Sequence, residues 1–265
     1  MKKKNKSKNK SLIIVCILLV VVGLFILFKA STWGIYKSLL SDIGDMHEVI
    51  DGYKNSEDIT IEKKEAEEYL EFEWFDVGNY FKQFKHEPSQ TTEWNETFYQ
   101  YDGEKKVGMF SVGTFESLLN GIKDDELVFF GGYDTSPRLD FSQMFYCNFD
   151  DFIEEKNIKD DADLVREFAK YNYDKKYGIF TSLDKLREDY SIRLISSIAL
   201  PSVDKIYYIN GVHKGYMFEL VNEEKGTRLY EVNLFKGGKR YILSVLSNNF
   251  NLDMMKEVIG TIKLK

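Results

Sequence analysis

The chain has 265 residues, a formal net charge of −7, 43% hydrophobic and 15% aromatic residues, three histidines and two cysteines. That length is enough for one large domain or two small ones with a real hydrophobic core. Six lysines and no acid fall in residues 1–28, so residues 29–265 carry −13. This acidity argues against nucleic acid as a partner, because phosphate binding needs clustered Lys and Arg. A cationic peptide, a metal ion or a neutral protein face stays open.

The first element in chain order is Ser11 to Phe28, an apolar run of eighteen residues without a charge. As a helix it would span roughly 27 Å, close to a hydrocarbon core. Lys2, Lys3, Lys4, Lys6, Lys8 and Lys10 precede it, and only Lys29 and Lys37 follow closely. The positive-inside bias then predicts a single-pass plasma-membrane protein with residues 1–10 in the cytosol and the C-terminal domain extracellular. Phe28-Lys29-Ala30 puts a bulky residue at −3 of a cut, so the anchor is expected to stay uncleaved, and Val15 before Cys16 disfavours lipidation there. Cys16 and Cys147 build no disulfide framework within the domain, although Cys147 could pair between chains.

Residues 29–56 read as a juxtamembrane helical stalk. Tyr36, Leu39, Ile43, Met46, Ile50 and Tyr53 recur at spacings of three and four, the seam of a short coiled coil and a route to a homodimer through residues 36–53. The competing reading packs the same amphipathic face on the protein's own domain, and Gly34, Gly44 and Gly52 favour it.

The extracytoplasmic domain is expected over residues 57–265. Ala66, Leu70, Trp74, Val77, Phe81 and Phe84 share a face at helical spacing, which predicts a long helix over Thr60 to Phe84. TFYQY and VGMFSVGT around Asp102-Gly103 predict a hairpin. A helix from Phe115 to Ile122, a strand near Met144 to Phe149, and helices around Asp151 to Asn157 and Asp161 to Tyr171 follow. Ser182 is a good N-cap for a helix carrying Leu183, Leu186 and Tyr190, whereas Ser191 to Leu200 reads equally as helix or strand.

KIYYIN, KGYMFELV, TRLYEVNLF and KRYILSVLS then form an antiparallel meander with one dry face. A C-terminal helix capped by Asn251 presents Leu252, Met255, Ile259 and Ile262 to cover it. The fold class is thus α+β: a transmembrane helix, a helical stalk, and a domain with an antiparallel meander covered by helices.

From about residue 160 to 265, this order of helix, strand, curled meander and closing helix with a Thr-Ile-Lys-Leu ending resembles the PsbP-like α/β domains. The lysine-rich composition, 30 Lys against 6 Arg, resembles that of low-GC Gram-positive membrane proteins. Since PsbP-like domains are mostly accessory or binding modules, the resemblance implies a non-enzymatic role.

Chemistry leaves little trace in the sequence. His47, His86 and His213 form no metal-ligand pair, and Cys147 has no CxxC partner. Ser182-Leu-Asp-Lys185 matches S-x-x-K, and Lys236-Gly-Gly238 faintly matches K-T-G, but the S-D-N element between them is missing. Asp124-Asp125-Glu126, Asp150-Asp151 and Asp160 to Asp163 lack calcium-loop spacing, and Gly131-Gly132 and Gly237-Gly238 lack a phosphate-loop context. No catalytic, cofactor or metal residue is therefore assigned. The expected function is a membrane-anchored, non-enzymatic binding or accessory protein of the cell envelope with a protein partner at the cell surface. The alternative is a cell-surface hydrolase with a noncanonical acid/histidine site, which a cleft gathering His213 with two acids would favour.

Overall fold

A computed structural model describes residues 18–28, 30–31, 34, 47–87, 95–119, 149–171, 181–182, 185–186, 189, 192–193, 196 and 200–265. The chain divides into two units. One comprises residues 1–45, 134–149 and 172–195, and the other residues 46–133, 150–171 and 196–265.

In the first unit, residues 18–28 are helical with exposed apolar side chains. Among the described residues no helix is long and apolar enough to cross a membrane. The transmembrane anchor expected over Ser11 to Phe28 is corrected accordingly: an apolar run sets hydropathy alone, whereas a span needs one long apolar helix, and the described residues contain none. Residues 11–17, with Cys16, lie outside the described residues. Further along this unit, the Ser182 Oγ accepts the Lys185 N–H at 3.3 Å, as an N-cap does.

The second unit is dominated by an eight-stranded sheet. Its strands are β1 (Ser56–Ile61), β4 (Lys85–His86), β5 (Asn95–Asp102), β6 (Lys105–Glu116), β7 (Lys205–Gly211), β8 (Gly215–Asn222), β9 (Thr227–Lys236) and β10 (Lys239–Ser247), in the order β1-β7-β8-β9-β10-β6-β5-β4. The meander β7 to β10 forms as its sequence alternation predicts. The sheet as a whole is mixed, because β1 joins β7 in parallel, Ser56 opposite Ile206 through Ile61 opposite Gly211. The expected α+β fold, a transmembrane helix and helical stalk followed by an antiparallel meander covered by helices, is corrected to a predominantly strand structure around this mixed sheet. A second sheet, β11-β3-β2, unites β2 (Tyr69–Glu71), β3 (Phe75–Gly78) and β11 (Lys263–Leu264).

Residues 60–84 therefore run as strand, turn and hairpin instead of one long helix. The helical spacing of Leu70, Trp74 and Val77 competes with the demand of Phe72, Phe75 and Phe81 for partners distant in sequence. Phe72 meets Phe98 and Phe110 at ring separations of 5.9 and 6.0 Å. The Phe72 N–H bonds the Phe75 carbonyl at 3.0 Å, closing the β2–β3 turn. Tertiary burial of aromatic rings outweighs helix propensity, which is worth only tenths of a kcal/mol per residue.

The Asp102-Gly103 hairpin forms, with Asp102 opposite Lys105 and Gly103 at φ +61, the left-handed geometry that a glycine-first turn needs. Strand β6 continues to Glu116, past the expected helix start at Phe115, and among the described residues of that stretch helical backbone is present at 118–119. Residues 120–122 lie outside the described residues. So do 144–148 of the expected strand near Met144 to Phe149, including Cys147, as well as the acidic run at 124–126, Gly131-Gly132 and most of Ser191 to Leu200.

One face of the large sheet carries Tyr207, Ile209, Met217, Tyr230, Val232, Leu234, Leu243 and Val245, packed with Phe72, Phe75, Val77 and Phe81. The helix Leu252–Thr261 adds Met255, Val258 and Ile259 to this core, and the Asn251 side chain caps it by accepting the Met254 N–H at 3.0 Å. Against the opposite face pack His47–Lys54 and Asp161–Lys170, the latter burying Leu164, Val165 and Phe168. Tyr53, the last residue of the expected stalk seam, is turned into this unit. Its ring meets Phe218 edge-on at 5.7 Å and its hydroxyl donates to the Pro201 carbonyl at 3.1 Å. Tyr36, Leu39, Ile43 and Met46 lie outside the described residues.

Gly211 ends β7 at φ +110, and a Cβ there would stand 2.2 Å from the Ile61 carbonyl oxygen. Gly211→Ala is therefore expected to separate the parallel β1–β7 pair and lower stability by about 2 kcal/mol or more in urea titration. A change under roughly 0.5 kcal/mol would show that the pair adjusts freely.

Candidate functional site

Three places in the second unit gather polar side chains with unusual surroundings, and they differ in how fully those groups are satisfied. The first is an open cavity of about 380 Å³ lined by Glu68, Leu70, Asn79, Phe81, Lys82, Phe84, Phe98 and Phe110. Leu70 comes from β2, Phe98 from β5 and Phe110 from β6. Asn79, Phe81, Lys82 and Phe84 come from the segment that leaves β3. This segment returns tightly, with the Asn79 N–H donating to the Glu68 carbonyl at 2.9 Å and the Phe84 N–H to the Phe81 carbonyl at 2.9 Å. Both ends of the cavity wall are thereby fixed by backbone.

Aromatic rings form the floor. Phe81 stacks on Phe110 at 3.9 Å with 6° between planes, and on Phe250 at 5.3 Å with 9°. Phe84 meets Phe110 edge-on at 6.1 Å, and Phe98 tilts toward it at 5.2 Å. At the rim, Lys82 and Glu68 form an exposed ion pair at 2.8 Å. The Lys82 ammonium, aided by a side-chain hydrogen bond from Asn79, holds the Glu68 carboxyl below its usual range, and Glu68 in turn raises the Lys82 pKa. The Asn79 Oδ1 is buried and has no hydrogen-bond partner. A buried acceptor left unmatched costs free energy that a donor would recover.

The second place is Glu219 on β8. Its carboxylate accepts the Tyr207 hydroxyl at 2.7 Å, the Tyr230 hydroxyl at 3.0 Å and Arg228 at 2.9 Å. Burial, followed by this carboxylate, pushes the Tyr207 pKa well up. With both tyrosine hydroxyls and Arg228 bonded to one carboxylate, the cluster is a structural network.

The third is a cavity of about 250 Å³ beside Ser117, Lys159, Asp160, Lys236, Gly237, Gly238 and Lys239. Lys236 and Asp160 are already committed. Lys236 donates to the Leu264 carbonyl at 2.7 Å, and Lys214 pairs with Asp160 at 2.7 Å and Asp163 at 3.1 Å. Asp160 caps its helix by accepting the Ala162 and Asp163 N–H groups, and the buried Asp161 accepts those of Leu118 and Leu119. The acidic run 160–163 thus serves helix ends.

His213 lies half-buried, with its Nε2 at 2.9 Å from the Ile262 carbonyl, so this nitrogen carries the proton. Burial, together with the Lys236 charge, lowers its pKa from 6.5. Above pH 6.5 the ring is neutral whether the chain is folded or unfolded. As pH falls below that value the unfolded chain takes up the proton first, and stability is lost. His213→Gln is expected to flatten this acid-side decline in a series of urea titrations, and an unchanged pH slope would show that His213 contributes none of it. His86 sits over Phe98 at 4.8 Å, with Glu96 at 3.8 Å. Among the described residues no group of three or more His, Cys, Asp or Glu side chains is arranged to hold a metal ion.

The aromatic cavity escaped the sequence reading because Phe81 and Phe84 read there as a helix face, while Phe98 and Phe110 read as ordinary hairpin alternation. The one usable signal was aromatic density on both sides of Asn79.

No family model matches the chain, and no curated protein matches it. A solved structure from Bacteroides thetaiotaomicron VPI-5482 aligns with a TM-score of 0.30 and 11% identity, over 72% of this chain and 45% of that one. This chain thus spans less than half the length of that protein.

Proposed function

We propose that this chain is a non-enzymatic binding or accessory protein whose ligand enters the aromatic cavity beside Asn79. The observation that carries this reading is the open cavity of about 380 Å³, walled by the half-buried Leu70 and Phe98 and rimmed by the Glu68–Lys82 pair. Small-ligand sites are concave, mostly apolar, and carry a few placed polar groups. The resemblance of residues 160–265 to PsbP-like domains supports an accessory role but lies outside the cavity. A cleft gathering His213 with two acids would have favoured the hydrolase alternative. The ring instead engages a main-chain carbonyl with a lysine nearby.

A fragment screen by ligand-observed NMR on the full chain, repeated with Leu70→Trp to fill the cavity, tests this. Leu70 is only half-buried, so the larger ring can enter the open space. The expected result is a set of binders whose signals vanish with Leu70→Trp and that emerge chemically unchanged. Binding indifferent to Leu70→Trp, or turnover of ester, peptide or glycoside fragments, would sink the proposal.

A further inference from the structure

Resting on the reading of the aromatic cavity as a binding site, we infer that its ligand is a free α-amino acid with an apolar side chain, bound as the zwitterion. The rim supplies the first requirement. Glu68 and Lys82 both line the cavity, stand 2.8 Å apart, and keep 58% and 70% of their side chains exposed. Their pairing leaves capacity on both sides, because an ionised carboxylate has about four acceptor sites and an ammonium has three donors. Lys82 and the Asn79 amide both bond the Glu68 carboxylate, which holds it at the rim in its charged form. A ligand with a single charge meets an attracting group and a repelling one at nearly the same distance, so the two effects largely cancel. A ligand with an ammonium and a carboxylate on one carbon sets each against its opposite and leaves the Glu68–Lys82 pair intact.

The walls supply the second requirement. Leu70 from β2 and Phe98 from β5 are half-buried, so each presents apolar surface to the open space, whereas Phe81 and Phe110 are buried. An apolar ligand side chain laid against Leu70 and Phe98 leaves water, at a gain that grows with each methylene. A volume of about 380 Å³ is near the lower end of the roughly 300–1,000 Å³ typical of ligand sites, which suits a single amino acid better than an oligomer. A peptide end is a poorer match, since it brings one charge and an uncharged amide where the amino acid has its second charge. The net charge of −13 over residues 29–265 does not turn this choice toward a cation, because exposed charges more than about 8 Å apart are largely screened at physiological ionic strength.

The test is an NMR titration of the full chain with four probes: L-leucine, the cationic L-leucinamide, the anionic N-acetyl-L-leucine, and glycine. It is run at about pH 6, below the α-amino range of about 7.7–8.0, so that leucinamide is charged. Leucine is expected to bind about fivefold more tightly than either singly charged analogue, the scale of one or two exposed ion pairs. It should bind about tenfold more tightly than glycine, which has no side chain to place against Leu70 and Phe98. In about 1 M salt, where the screening length is about 3 Å, the advantage over the charged analogues should shrink while that over glycine persists. Lys82→Gln should make leucinamide the tighter binder, and Glu68→Gln should do the same for N-acetyl-leucine; both positions are exposed, and such substitutions seldom disturb folding. The four-probe comparison on the unmodified protein needs no variant. Leucine binding no tighter than the better of the two charged analogues, or no tighter than glycine, overturns the inference, as does the absence of binding by any of the four at millimolar concentration. If the fragment screen still finds binders that are lost with Leu70→Trp, the cavity remains a binding site and only the ligand class is wrong. If it finds none, the reading of the cavity falls as well.

Discussion

Phe110→Ala is expected to cost about 3–5 kcal/mol of folding stability, measured as a shift of the urea midpoint at unchanged slope. Phe110 is fully buried in β6, and four rings converge on it: Phe81 stacked at 3.9 Å, Phe98 at 5.2 Å, Phe72 at 6.0 Å and Phe84 at 6.1 Å. Removing it withdraws the transfer free energy of a whole phenyl group and leaves a hole. The surrounding rings cannot close that hole, because their backbones belong to different strands and turns. Against a typical domain stability of about 5–15 kcal/mol this is a large share. Phe110→Leu should cost less than half as much, since it keeps most of the volume. A loss under about 1 kcal/mol for Phe110→Ala would mean that the aromatic floor collapses easily and is not a fixed wall of the cavity.

The same cluster explains what was legible in the sequence and what was not. The β7–β10 meander was legible because alternation is a local signal. Tyr216, Phe218 and Leu220 point one way, Met217 and Glu219 the other, and Asn210-Gly211 and Lys236 to Lys239 punctuate the strands. The capped C-terminal helix was legible for the same reason, with Asn251 standing at its start. The strands of residues 56–78 were not, because their partners are remote. Strand β1 pairs with β7 about 150 positions later, and β3 pairs with Lys263 and Leu264 near the other end of the chain. Between them only glycine fits at 78, because a Cβ there would meet Ala66, Tyr80 and Thr261 within 3 Å, and the Thr261 Oγ1 accepts the Gly78 N–H at 2.9 Å. A hydrogen bond spanning 183 residues leaves no periodicity to read. The cavity beside Asn79 inherits this limitation, since its walls come from β2, the segment after β3, β5 and β6.

Glu219→Ala should be the most destabilising change among the polar residues of the sheet, at about 3 kcal/mol in urea titration. Glu219 is nearly buried and lies directly across from Tyr230 on β9 and Lys205 on β7, with Tyr207 one diagonal away. Its two oxygens receive the Tyr207 and Tyr230 hydroxyls, and both tyrosines are themselves buried. Removing the carboxylate leaves two hydroxyls without acceptors in a place water does not readily reach, at about 1–3 kcal/mol each. Arg228 contributes less, because about half of its side chain is exposed and its charge can return to solvent. This ordering yields a sharper test than the single variant. Tyr230→Phe combined with Tyr207→Phe removes both donors, and Glu219→Ala should then cost at least 1 kcal/mol less on the doubly substituted background than on the native one. Equal costs on both backgrounds would show that the tyrosine hydroxyls do not depend on Glu219, and that the loss comes from side-chain packing alone.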